Sequence, residues 1–126
     1  MKKIITISLL SLSILSAQTD ICQTQWIQAD GKKYTPPENV KTLKITFINE
    51  LDGIEMSTKN HTSKYAYRSF LDIDGHLGIS YKAKNGDILD IFQNGNLVIW
   101  RDKVPQLKAH CPTMKLDISK NKFTGD

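Results

Sequence analysis

The chain has 126 residues, of which 17 are basic, 13 acidic and 40% apolar. That supports one small hydrophobic core rather than several, and a charged fraction of 24% is too low for a disordered, self-repelling chain. The basic residues are scattered rather than clustered, so no nucleic-acid partner is expected.

The first 17 residues, MKKIITISLLSLSILSA, have the plan of a secretory signal peptide. Lys2 and Lys3 supply the positive start, Ile4–Leu15 is an apolar run too short to span a bilayer comfortably, and the small Ala17 closes it. Cleavage is expected after Ala17, although Leu15 at the −3 position is larger than the ideal. Lipid attachment at Cys22 is not expected, because Thr19, Asp20 and Ile21 stand where small residues are required. The short leader points to a bacterial product that is periplasmic or secreted. Removing 17 of the 126 residues leaves 109, residues 18–126, the size of a single domain. Without Lys2 and Lys3, 15 basic residues face 13 acidic ones, so the net charge falls from +4 to +2. No second apolar segment follows, so no integral membrane segment is expected after export.

The remaining chain alternates apolar and polar residues with a period close to two, the signature of half-buried strands. Strands are expected at Thr24–Ala29, Leu43–Ile48, Ile54–Thr58, Tyr65–Ile73, Leu77–Ala83, Ile88–Gln93 and Leu97–Asp102. Pro36 and Pro37 mark a loop, since proline cannot donate to a ladder. Asp30-Gly31, Asp52-Gly53, Asp74-Gly75, Asn85-Gly86 and Asn94-Gly95 are turn signals, suited to type I′ hairpins. VPQLKAHCP is read as leaving this meander, Met114, Leu116 and Ile118 as a last short strand, and SKNKFTGD as a frayed tail. The fold expected is all-β: a small antiparallel up-and-down barrel of about eight strands, with a two-sheet sandwich as the alternative.

The chain has two cysteines, Cys22 and Cys111, far apart in sequence and without Cys-x-x-Cys spacing. In an oxidising compartment such a pair forms a disulfide. It joins the two ends of the domain, which are neighbours when a meander closes.

Catalytic and cofactor signatures are not found. Asp72, Asp74 and His76 resemble the start of a calcium loop, but the twelfth position is Ala83, where a carboxylate is required. His61, His76 and His110 are not spaced as metal ligands. No nucleophile elbow, phosphate loop or triad is present. Asp87 and Asp90 flank a hairpin and are read as solvated. The chain is therefore expected to be a non-enzyme without cofactor or metal. The aromatic residues carry more information. Trp100 is out of phase with Leu97 and Ile99, and Phe70 with Leu71 and Ile73, so one of the two is expected in the core and the other in a surface patch for a partner.

The leader, Cys22, LKITF at Leu43–Phe47, YKAKNGD at Tyr81–Asp87, and Cys111 together resemble the bacterial C-type lysozyme inhibitors in layout. That resemblance implies an exported eight-stranded barrel stapled near its ends, and an activity that blocks lysozyme. The family's inhibitory loops pair a Ser-x-x-x-Tyr element with a Tyr-Trp-x-Lys-Gly-like one. This pair is absent here, since the chain has no Tyr-Trp, and no functional residue is carried over. The leading expectation is an exported barrel that binds a protein or an envelope component. Its rivals are a lysozyme inhibitor, a lipocalin-like carrier of a small apolar ligand, and a hydrolase whose site is assembled only in three dimensions.

Material exported by its native host should begin at or near Gln18 and carry no lipid. N-terminal sequencing with intact-mass measurement checks this, and an intact Met1 or a lipidated Cys22 refutes it.

Overall fold

Alternating residues between turn-forming pairs produce nine strands in the computed structural model, which describes residues 19–114 and Leu116. In chain order they are β1 (Thr19–Ala29), β2 (Lys32–Tyr34), β3 (Thr42–Ile48), β4 (Gly53–Ser57), β5 (Thr62–Ile73), β6 (His76–Ala83), β7 (Ile88–Phe92), β8 (Asn96–Arg101) and β9 (Val104–His110). A short 3₁₀ turn, Glu38–Val40, follows the two prolines. The leader, its cleavage site, Ile118 and the SKNKFTGD tail lie outside the described residues. Among the described residues no helix is long and apolar enough to cross a membrane.

Each strand from β3 to β9 pairs antiparallel with the next, and β1 pairs with both β3 and β9. The result is a closed, eight-stranded up-and-down barrel, with β2 as an extra strand on the far end of β1. The two-sheet alternative does not form, because the β1–β9 ladder removes the edges that would separate two sheets.

The inner face is built by alternation. Leu43, Ile45 and Phe47 from β3, Ile54 and Met56 from β4, Ile79 and Tyr81 from β6, Leu89 and Ile91 from β7, and Leu97 and Ile99 from β8 are all buried. Fully burying one such side chain contributes about 1.5–3 kcal/mol. Tyr81 is the largest of those with no exposure. Its hydroxyl donates to the Leu51 carbonyl at 2.9 Å, and its ring meets Tyr67 edge-on at 6.5 Å. Side chains fill the interior, as an eight-stranded barrel allows.

The turns divide into two kinds. Asp30-Gly31 and Asp74-Gly75 have positive φ at both residues, as type I′ hairpins require. In Asn85-Gly86 and Asn94-Gly95 only the glycine does, and the Gly86 and Gly95 amides donate to the Ala83 and Phe92 carbonyls. These are type I turns completed by a left-handed glycine, not the type I′ turns expected. Gly95 is needed twice over: φ is +92°, and a Cβ there would collide with the Cys111 carbonyl oxygen. The β3–β4 turn uses Asn49 and Glu50, both at positive φ, rather than the expected Asp52-Gly53.

Three further expectations change. The segment Val104–His110 does not leave the meander; it is β9, the strand that closes the barrel. Pro105 hides it in the sequence, and the ladder accommodates this residue at a register shift opposite Ile99 and Trp100. Met114 and Leu116 form no strand but are buried against the core. In β5 a bulge at Arg68 flips the phase. Tyr65 and Tyr67 turn toward the core, but beyond the bulge Phe70, not Leu71, pairs with buried Ile79.

Cys22 on β1 and Cys111 just after β9 form a disulfide, with Cα atoms 4.0 Å apart and a sequence separation of 89. A cross-link closing so long a loop stabilises by about 4–5 kcal/mol in the chain-entropy treatment. The double variant Cys22→Ser, Cys111→Ser should lose about 2–5 kcal/mol in urea unfolding while keeping its β circular-dichroism signature. Two free thiols per chain in unreduced, denatured protein would refute the bridge.

Candidate functional site

Residues alternating with the core face outward, and strand register decides which of them meet. One row runs Ser80 on β6, Asp90 on β7, Val98 on β8, Lys108 on β9 and Trp26 on β1. The next runs Lys82, Ile88, Trp100 and Pro105 on β6 to β9. The first row carries a polar network. The Ser80 hydroxyl donates to Asp90 Oδ1 at 2.6 Å, and the Trp100 indole N–H donates to Asp90 Oδ2 at 3.1 Å. Arg68 donates to Ser80 Oγ at 3.2 Å. Arg68 follows the inward-facing Tyr67 and so reaches this outer face by ordinary alternation, while the bulge leaves it without a partner on β6.

Beside this network lies an open cleft of about 480 Å³. Its floor is Ile88, Asp90 and Trp100; Arg68 and Lys82 form one side, and Gly86, Asp102 and Lys103 belong to the two hairpin ends that frame it. Asp102 and Lys103 both have positive φ, so β8 and β9 join through a type I′-like turn without glycine.

The electrostatics separate the two aspartates of β7 and its turn. Burial pushes the Asp90 carboxyl above the ordinary carboxylate range, while the Ser80 and Trp100 hydrogen bonds and the charge of Arg68 pull it partly back. Asp87 behaves in the opposite way. A bidentate pair with Arg101, at 2.9 Å for each contact, holds its carboxyl below the ordinary range against a smaller opposing effect of burial. The Arg101 side chain is 60% exposed, so this pair contributes about 1 kcal/mol at most. Neither aspartate is the simple solvated residue expected from sequence. Deeper in, burial and then the nearby Asp87 charge push the Tyr65 phenol up to about 12.

The structure does not bring Trp100 and Phe70 together, and neither joins the buried core. Trp100 is half-buried on the outer wall. Phe70 lies on the inward side of the β5–β6 hairpin where that hairpin runs past the end of β4, and it is 38% exposed. The expectation that one of the pair fills the core fails because the bulge moved Phe70 to the inward side only where the barrel ends. Trp26 also lies outside, with the Lys33 ammonium 4.5 Å from its ring centroid. A second open cleft, of about 560 Å³, lies between the β3–β4 and β6–β7 turns and shares Lys82 with the first.

No protein-family model, curated protein or solved structure matches the chain. What the outer wall can do therefore follows from its own geometry. Ser80 has no solvent exposure, so its hydroxyl serves the network and not an incoming substrate. Asp72, singled out by its spacing, accepts the Gly75 amide at 3.2 Å and holds the turn. Trp100 places an indole, oriented by its hydrogen bond to Asp90, beside cations and carboxylates on the outer wall.

Asp90 supplies a pH test. A carboxyl raised in the folded state costs stability once ionised, so its contribution falls as pH rises from the ordinary value, about 3.9, through the folded one. The indole N–H resonance of Trp100 should titrate with a midpoint above about 3.9, and Asp90→Asn should abolish that movement. A midpoint at or below the ordinary value refutes the buried carboxylate.

Proposed function

We propose that the protein is an exported, non-enzymatic binding protein that holds a protein or a cell-envelope component against the outer wall of its barrel, centred on Trp100. The observation that carries this reading is the position of that tryptophan. A large aromatic residue stands outside a core made of Leu, Ile, Phe and Tyr, and a half-buried carboxylate fixes its orientation. Aromatic residues anchored in this way dominate the energetics of recognition surfaces. The filled interior supports an outer-wall site over a carrier, whose ligand would need the space taken by Tyr81, Leu89, Ile91 and Leu97. The disulfide is in keeping with export, because such bridges persist in oxidising compartments.

Immobilised mature protein should retain a partner from envelope extract, or a purified C-type lysozyme, and Trp100→Ala should weaken that capture by about tenfold or more. Trp100→Phe, which keeps an aromatic ring, should fall between the two. Trp100→Ala should cost about 1–2 kcal/mol of stability, less than the 2–5 kcal/mol of a core change such as Leu89→Ala. Equal capture by folded wild type and Trp100→Ala overturns the proposal.

A further inference from the structure

We infer that the cleft beside Trp100 binds an acidic saccharide, with a sugar ring stacked on the indole and its anionic group held between Lys82 and Lys103. This deepens the outer-wall reading and rests on it.

Four observations on the cleft converge. Its volume, about 480 Å³, falls among small-ligand sites, and it is open to solvent. Its apolar surface is one indole with Ile88 opposite in register, a flat plate matched to the C–H face of a sugar ring. The indole N–H is already committed to Asp90, so an incoming ligand does not meet it as a free donor. Its charges are mixed: Arg68, Lys82 and Lys103 against Asp90 and Asp102.

That mixture separates ligand classes. An acidic peptide has only its backbone N–H groups to donate to Asp90 and Asp102, and its carboxylates and carbonyls are acceptors that these carboxylates repel. A sugar brings hydroxyls, which donate to carboxylates and accept from Arg68. A neutral sugar would leave the lysines unused. Lys82 and Lys103 have no ion-pair partner among the described residues, where the Arg101–Asp87 pair is separate from this cleft. An anionic substituent, carboxylate or phosphate, supplies what they lack.

The test uses mature, disulfide-intact protein carrying Trp26→Phe, so that Trp100 is the only fluorescent tryptophan. Three probes are titrated: an oligogalacturonate, a cello-oligosaccharide of the same length, and polyglutamate. The oligogalacturonate should shift Trp100 emission saturably, and added salt should weaken it. The neutral sugar should bind about tenfold or more weakly, and Lys82→Ala with Lys103→Ala should weaken the acidic sugar by about tenfold without moving the thermal midpoint. Equal binding of the acidic and neutral sugars overturns the inference, as does polyglutamate binding as tightly as the oligogalacturonate. So does the absence of any saturable shift. If envelope capture still requires Trp100 while no saccharide competes for it, the ligand class is wrong and the outer-wall reading stands. If capture never required Trp100, the outer-wall reading itself fails.

Discussion

The structure depends on one ladder, the pairing of β1 with β9. Gln23–Ile27 lies against Leu107–His110, with an irregularity at Gln25, and this contact turns an open meander into a closed barrel. Every other strand pair joins neighbours in sequence and forms locally, apart from β1 with β3 across the β2 excursion. The β1–β9 contact joins the two ends of the domain and carries the largest loop-closure cost in the fold. Several features gather around it. Cys22 and Cys111 bridge its end at a Cα separation of 4.0 Å. The Cys111 amide donates to the Gly95 carbonyl, which docks the β7–β8 turn onto the same place. Thr24, where β1 leaves β3, bonds the 3₁₀ segment twice, through its amide to Lys41 and its hydroxyl to Val40.

Closure also fixes which face is available to a partner. In a small closed barrel the inner face is consumed by packing, so any recognition surface made of strand residues must lie outside. Two local devices shape the outer wall. At Gly78, which is buried, a Cβ would strike the Phe92 ring at 2.7 Å, so the missing side chain lets that ring lie over β6. On β5, Arg68 at the bulge brings a guanidinium to Ser80, which has no other cation within hydrogen-bond reach among the described residues. The site therefore sets one bulged strand, β5, beside the regular rows of β6, β7 and β8.

These irregularities also mark the limit of what sequence could reveal. Strand existence, the closed up-and-down form and the disulfide were legible, because period-two alternation, Asp-Gly and Asn-Gly pairs and two terminal cysteines each have a direct physical reading. β9 was not, because Pro105 argues against a strand unless the register shift opposite Trp100 is known. The phase of β5 beyond Arg68 was not, because one unpaired residue exchanges the faces of Phe70 and Leu71. The cleft was only half visible. Trp100 stood out by its phase, but Arg68, Ser80, Asp90 and Trp100 come from four strands, and only register places them together.

Asp90 is the residue of the outer wall that stability alone does not explain. A carboxylate drawn partly out of water opposes folding at neutral pH, and its two hydrogen bonds with the charge of Arg68 offset that only in part. Its neighbour across the ladder, Val98, shows that an apolar side chain fits this row. Exchanging a buried polar group and its partners for apolar ones of similar shape is commonly neutral or stabilising. What Asp90 provides that a valine does not is a fixed orientation for the Trp100 ring, through an acceptor aimed at the indole nitrogen. Holding a half-buried outer-wall ring in one orientation does little for a barrel already closed and filled. On the proposed binding reading it would serve a ligand that must find the ring in place, since the ordering cost is then met before binding and not during it.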